Sequence, residues 1–241
     1  MNIEVCFTPE LYLHRLTEGE GHTVVIVDIL RASTTLVTAL EQGVARIIPV
    51  TDIEQLVKMK QEGYLIASER DGLQSDFADF GNSPLQFMNP KVKNTTIAFS
   101  STNGTRALSF VENVQNVFFG AFSNCSALCR KLEKTQTDII VICAGWKQCF
   151  SLEDTLFAGA LCEKLSENKA FTIKGDSAHA ALAIWKEGKN DLFAYASKAE
   201  HYERLQLLGM GESIPYCFQL DSCQVVPQLR DGEITTIHDA L

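Results

Sequence analysis

The chain has 241 residues, 46% of them hydrophobic and 21% charged, a composition suited to one sizeable globular core. A formal net charge of −9 without any Lys/Arg run argues against a nucleic-acid partner, because a phosphate backbone demands a basic face. No apolar run approaches the roughly 20 residues of a spanning helix. The first seven residues lack the basic and long apolar regions of a secretory signal, so no membrane and a cytoplasmic location are expected.

Strand-like and helical patterns alternate along the chain. Candidate strands cover residues 3–6, 24–27, 46–50, 65–67, 96–99, 117–119 and 139–142. Each is short, apolar on consecutive positions and largely β-branched, as strands covered on both faces are. Candidate helices lie between them at 34–42, 53–62, 105–112, 126–134 and 152–166, with Gly43 and Gly63 as C-terminal stops for the first two. After residue 175 the pattern changes: 178–185 and 192–208 read as helices, 215–220 and 233–237 as late strands. With no Pro/Gly/Ser-rich linker or charge block, the expectation is a single domain over residues 1–241. Its fold class is α/β, a three-layer α/β/α sandwich with a mainly parallel sheet.

Four polar loops follow strand candidates: Asp28-Ile29-Leu30-Arg31, Ser68-Glu69-Arg70-Asp71-Gly72, the run Ser100 to Arg106, and the run Gly145 to Asp154. In a parallel sheet all four emerge at the carboxyl edge, where open α/β folds bind ligands. The first loop ends a run of four branched apolar residues in a carboxylate, with an arginine and a helix start just behind it. Carboxylate for a cation with guanidinium and amides for an anion is the pairing of metal-assisted phosphate chemistry. Each loop also has a plain structural reading. Asp28 can accept hydrogen bonds from loop amides, Asp71-Gly72 is a turn pair, and Thr102 or Asn103 can cap a helix. Ser151-Leu152-Glu153-Asp154 fits a capping box, with Ser151 as N-cap and Asp154 reaching back.

Other chemistries fit poorly. The eight cysteines never form Cys-x-x-Cys, which argues against zinc, and neither Cys125 nor Cys143 has the arginine six positions on that a cysteine phosphatase requires. They read as reduced, partly buried thiols. Walker and Gly-x-Gly-x-x-Gly loops are absent. His14, His22, His201 and His238 lie in polar surroundings without ligand spacing, and His179 reads as a first-turn packing residue.

Five motifs in order carry a resemblance. They are Val27-Asp28-Ile29-Leu30-Arg31-Ala32-Ser33-Thr34, Glu69-Arg70, Phe80-Gly81-Asn82-Ser83-Pro84, Thr102-Asn103-Gly104-Thr105 and Ser151-Leu152-Glu153-Asp154. Together they resemble the 2-phosphosulfolactate phosphatase family, of the coenzyme M biosynthesis type, from about Val24 to Val226-Pro227. The resemblance implies a magnesium-dependent phosphatase that converts 2-phospho-3-sulfolactate to 3-sulfolactate and phosphate. It covers Asp28, Arg31, Glu69, Arg70, Asn103, Thr105, Glu153 and Asp154. Two departures bear on substrate choice: the bulky Trp146-Lys147-Gln148-Cys149, and Phe77-Ala78-Asp79 where a glycine is usual.

Phosphate monoester hydrolysis needs positive charge and orientation around a dianion. Magnesium takes about six oxygen ligands and keeps several waters, so Asp28, Glu69 and Asp154 suffice as candidate metal ligands, with Glu153 the substitute for the last. Asp28, Arg31, Glu69 and Asp154 are the expected catalytic set. Arg70, Thr102, Asn103, Gly104, Thr105, Arg106 and Glu153 are expected to bind a small anionic phosphoester. A metal-bound water is the first choice of nucleophile and Asp28 the second, although Leu30 breaks the Asp-x-Asp pattern of aspartyl phosphatases. A phosphotransferase and a non-catalytic anion-binding module remain alternatives, and a homo-oligomer stays open.

Overall fold

The computed structural model describes residues 1–15, 21–111 and 114–236. The eleven strands are β1 Asn2–Cys6, β2 His22–Val27, β3 Arg46–Pro49, β4 Leu65–Arg70, β5 Leu73–Gln74, β6 Thr96–Ser100, β7 Asn116–Gly120, β8 Asp138–Cys143, β9 Thr172–Ile173, β10 Pro227–Arg230 and β11 Glu233–Thr236. The α-helices are α1 Ala32–Glu41, α2 Ile53–Gln61, α3 Gly104–Leu108, α4 Cys125–Thr135, α5 Leu152–Ser166, α6 Asp176–Gly188, α7 Leu192–Ala196, α8 Glu200–Leu207 and α9 Ile214–Cys217. Among the described residues no helix is long and apolar enough to cross a membrane.

The fold is α/β, a large, mostly parallel mixed sheet flanked by helices, in the order β5-β4-β6-β3-β11-β10-β7-β2-β8-β1-β9. Strands β4, β6 and β3 form one parallel set, and β7, β2, β8, β1 and β9 a second. The antiparallel hairpin β10–β11 joins them, pairing antiparallel with β7 on one side and β3 on the other. Three antiparallel pairings in succession reverse the strand direction, so the two sets run opposite ways. In a flat sheet their carboxyl ends would lie on opposite edges. The sheet is not flat: Ile97 and Phe99 of β6 share one buried cluster with Val24 and Ile26 of β2 and Phe119 of β7. Five strand-to-strand steps separate β6 from β2, and a twist of roughly 20–25° per step turns one set by on the order of 100° relative to the other. The carboxyl ends meet for that reason, and not because the sheet is parallel throughout.

Helices fill both faces of the larger set. On one side α4, α5 and α6 cover Ile3, Val5, Val25, Val27, Ile139 and Val141. On the other, α1 and α3 cover Val24, Ile26 and Ile142, and the inner face of β3, β6 and β4 closes over them. Helix α2 lays Leu56 and Met59 on the outer face of β4 and β6. Gly43 and Gly63 end α1 and α2 at φ +91° and +93°, as left-handed C-terminal stops do.

Several sequence expectations need correction. Residues 215–220 are not a strand, because Pro215 lies in the first turn of α9, just after Ile214, where its missing N–H costs nothing. Residues 192–208 form two helices, α7 and α8, with a break at 197–199. Helix α3 stops at Leu108: residues 109–111, expected to continue it, form a turn instead, while Glu112, His238 and the last residue of the 233–237 strand lie outside the described residues. Strand β10 was not expected, although Asp231-Gly232, with φ +51° and +80°, is the two-residue turn that marks a hairpin.

Helix α5 shows how tightly these layers pack. It is buried from Glu153 to Cys162 and crosses α6 where Gly159 faces the Ala181 carbonyl; a Cβ there would sit 2.6 Å from the Trp185 Cβ. On an exposed helix Gly→Ala gains up to about 1 kcal/mol; here overpacking reverses the sign. Gly159→Ala is expected to cost about 1–3 kcal/mol, lowering the melting temperature by about 2–4 °C per kcal/mol in a thermal scan.

Candidate active site

Loop β2–α1 builds the centre. Strand β2 is apolar throughout its interior, so it carries Asp28 into the body of the protein, only 6% exposed. The Asp28 amide donates to Ser33 Oγ (2.8 Å), its carbonyl accepts the Ser33 N–H (2.9 Å), and its Oδ1 accepts the Ala32 N–H (3.1 Å). The first turn of α1 is thereby folded onto the carboxylate. Gly104 at the start of α3 comes just as close: a Cβ there would lie 2.7 Å from the Ala32 Cβ and 3.3 Å from Asp28 Oδ2. Burial pushes the Asp28 carboxyl up to about 6; His201 and the Ala32 N–H pull it down, and Glu69 and Glu153 push it further up.

Arg31 is 4% exposed and donates to Ser213 Oγ and Met210 Sδ, both at 3.2 Å. Among the described residues no carboxylate forms an ion pair with it, and burial lowers its pKa, with Glu69 and Asp28 acting against that at longer range. A guanidinium desolvated without a direct counter-ion is costly. Only an incoming anion would complete it.

The second and third loops are tied by one side chain. Strands β4 and β5 turn through Asp71-Gly72, with φ +52° and +85°. Glu69 Oε2 accepts the Gly72 N–H and Oε1 the Thr102 N–H, both at 2.6 Å. Glu69 is therefore both a turn residue and a residue of the cleft. Ser101 and Thr105 cap α3 reciprocally, the Ser101 N–H donating to Thr105 Oγ1 (2.8 Å) and the Thr105 N–H to Ser101 Oγ (3.3 Å). Thr102 Oγ1 instead accepts the Asp71 N–H at 3.2 Å, and Asn103 makes no side-chain cap.

The fourth loop differs from a capping box. Ser151 Oγ accepts the Asp154 N–H (3.2 Å) as expected. The Asp154 carboxylate does not reach back to Ser151. It accepts the Ile29 N–H (2.8 Å) and the Gly145 N–H (3.1 Å), joining the loops after β2 and β8. Burial holds its pKa well above the usual carboxylate range, with Glu153 and Asp28 adding to the effect.

One cleft collects these loops. Asp28, Arg31, Glu69, Thr102 and Asn103 line it, joined by Asn82, Trp146, His201 and Arg204. The other expected residues stand off it. Gly104 and Thr105 shape the start of α3. Arg70 turns to the Glu69 carbonyl (2.7 Å) and Ser100 Oγ (2.9 Å), and Arg106 pairs with Glu10. Glu153 is buried against His201 Nδ1 at 3.1 Å. In sequence His201 is set aside for want of ligand spacing and Arg204 is not singled out, since α8 lies far beyond the last expected loop and nothing local marks it. Arg204 lies over the Trp146 ring, 5.0 Å from its centroid, and donates to the Asp71 carbonyl.

The donor set suits a hard cation with few protein ligands. Among the described residues no three His, Cys, Asp or Glu side chains group as a ready metal cage, and both Asp154 oxygens are engaged by amides. Asp28 and Glu69 nevertheless share the cleft with Asn82, whose buried Oδ1 has no hydrogen-bond partner among the described residues. Asp28 Oδ2, Asn82 Oδ1 and the second lone pair of a Glu69 oxygen that already binds an amide make a small set, which fits magnesium's habit of keeping several waters. All eight cysteines are unpaired, and only Cys149 is exposed.

Comparison with known proteins agrees. A sequence model described as 2-phosphosulpholactate phosphatase matches residues 6–232. A protein of Caldanaerobacter subterraneus subsp. tengcongensis called "Probable 2-phosphosulfolactate phosphatase" is 36% identical over 220 residues, covering 90% of this chain and 91% of its own. One of the same name from Thermotoga maritima is 37% identical over 213 residues, covering 88% and 91%. Another from Carboxydothermus hydrogenoformans is 34% identical over 238 residues, covering 97% and 96%. With the match spanning nearly the whole chain, and the cleft built from the loops that carry its motifs, this protein belongs to the 2-phosphosulfolactate phosphatase family.

Proposed function

We propose that this protein hydrolyses 2-phospho-3-sulfolactate to 3-sulfolactate and phosphate, with magnesium as cofactor, as a single cytoplasmic domain. The observation that carries the reading is Arg31: buried, without a carboxylate partner among the described residues, and sharing one cleft with Asp28 and Glu69. A module that only bound anions would gain nothing from two carboxylates facing its ligand, since both would repel it. A phosphatase needs them to handle a cation and a water.

Arg31 binds the phosphoryl oxygens and neutralises charge as the ester bond breaks. Thr102 and Asn103 add polar groups to the lining of the cleft. Arg204, over the Trp146 ring, adds a second cation for the acid groups of the substrate. Asp28, in its ionised form, orients the attacking water. Asp28, Glu69 and Asn82 would hold magnesium, which when bound supplies charge neutralisation at the phosphoryl group and a more acidic water.

The direct test is phosphate release from 2-phospho-3-sulfolactate and from other small phosphoesters, before and after exhaustive chelation. Release should fall to background on chelation and return with magnesium; undiminished release by the metal-free protein refutes the cofactor. Arg31→Lys keeps the charge but loses the planar fork, so its KM for phosphoester should rise about tenfold or more. An unchanged KM would remove Arg31 from the phosphate site.

Asp28→Asn should reduce turnover at least about a hundredfold. Its effect on stability has the opposite sign. Asp28 ionises near 6 in the fold and at about 3.9 in an unfolded chain. The folded state therefore holds its proton longer, and stability falls as pH rises through that window. Asparagine lacks this penalty. The metal-free variant should melt no lower than the wild type at about pH 7.5, with the difference vanishing near pH 4, measured by paired thermal scans.

A further inference from the structure

Resting on that reading, we infer that His201 is the proton donor to the leaving-group oxygen and that Glu153 positions it. The inference deepens the assignment of the site by giving it an acid, a role the strand-end loops leave unfilled.

Glu153 is 1% exposed, inside the first turn of α5. Its Oε1 lies 3.1 Å from His201 Nδ1, and its Oε2 is buried without a hydrogen-bond partner among the described residues. A carboxylate in that position is costly unless charge or a proton compensates it. To act as the acid, the Glu153–His201 pair must carry one proton beyond the bare carboxylate and neutral ring. If the proton sits on the ring, the pair is carboxylate and imidazolium, and both ring nitrogens carry hydrogen. If it sits on Glu153, the carboxyl donates to Nδ1 and the ring keeps its hydrogen on Nε2. Nε2 is a donor either way.

The ring is also held in plane. It stacks on Trp146 with centroids 5.8 Å apart and 18° between planes, and the side chain is 11% exposed. Since Nδ1 faces Glu153, Nε2 is the nitrogen left for the cleft that His201 lines with Asp28 and Arg31. This is the arrangement in which a carboxylate fixes the tautomer and aim of a catalytic imidazole. The alkoxide leaving a sulfolactate phosphoester is a strong base and departs readily only with a proton.

The step balances without an outside reagent. Water forms the new bond to phosphorus, the ester P–O bond breaks, and its electron pair stays on the leaving oxygen, which takes the Nε2 proton. Both hydrogens of the water pass to the new phosphate, which returns one of them to Nε2 before it leaves and so restores the pair.

The test compares wild type, His201→Gln and Glu153→Gln in the presence of magnesium. Two substrates are used: 2-phospholactate, which releases an alkoxide, and 4-nitrophenyl phosphate, whose phenolate departs without a proton. For His201→Gln, kcat on the alkyl ester should fall about 10²- to 10⁴-fold, against less than about tenfold on the aryl ester. Glu153→Gln should show the same selectivity with a smaller loss, since the amide still meets Nδ1 but cannot hold the charge. Equal losses on both esters, or no loss on the alkyl ester, overturn the inference and leave the phosphatase reading intact. Wild-type protein that releases phosphate from neither compound nor from 2-phospho-3-sulfolactate overturns both.

Discussion

The hairpin β10–β11 is the element on which the rest depends. It stands between two parallel sets of strands and reverses their direction, and the accumulated twist across it turns the reversed set so that both carboxyl ends meet. Ile234 of β11 is buried in the cluster that joins Ile97 and Phe99 of one set to Val24 and Ile26 of the other. Without that twist, Asp28 and Glu69 would belong to different edges. The cleft is therefore a product of sheet curvature, and its shape is set by residues that never touch it.

Inside the cleft, order comes from carboxylates that accept main-chain amides. Glu69 binds the amides of Gly72 and Thr102, and Asp154 those of Ile29 and Gly145. Each joins two loops, so the loops hold one another in register where no strand pairing reaches. A buried acid is expensive, and amide donors lower the cost. Among the acids of the four loops, Asp28 and Glu69 line the cleft, while Asp154 and Glu153 are not part of its lining. The same residue type thus serves as scaffold and as chemistry, and Glu69 is placed to do both, binding an amide through each oxygen while lining the cleft.

The positive charge follows the opposite logic. Arg106 and Arg70 are spent on protein partners, a salt bridge in one case and a carbonyl and hydroxyl in the other. Arg31 is held by a hydroxyl and a thioether, neither of which neutralises it. Arg204, on α8, faces the same cleft from across Trp146. Two cations from distant parts of the chain therefore bracket the space between them, which suits a ligand carrying more than one anionic group.

The sequence by itself determined the long parallel strands, because runs such as Val24-Val25-Ile26-Val27 are stable only when buried, and it marked Asp28, Arg31, Glu69, Thr102 and Asn103 because polar residues at the ends of such runs stand out. It also marked the caps and stops, Ser151, Gly43 and Gly63, whose chemistry is local. Tertiary structure alone decided the rest. The turn at Asp231-Gly232 was readable as a turn, but its insertion in the middle of the sheet depends on pairings with residues more than a hundred positions away. Asp154 looked like one half of a capping box and was claimed by amides of two other loops, a competition that no local pattern encodes. Pro215 sat in an apolar run that reads as a strand, yet its ring suits a helix start and the packing accepted one. His201 and Arg204 looked like surface residues of a polar helix, and became residues of the cleft only when α8 was laid against Trp146 and Glu153. Periodicity and capping act over a few residues and can be read in order; the meeting of loops is set by twist and packing summed over the whole sheet.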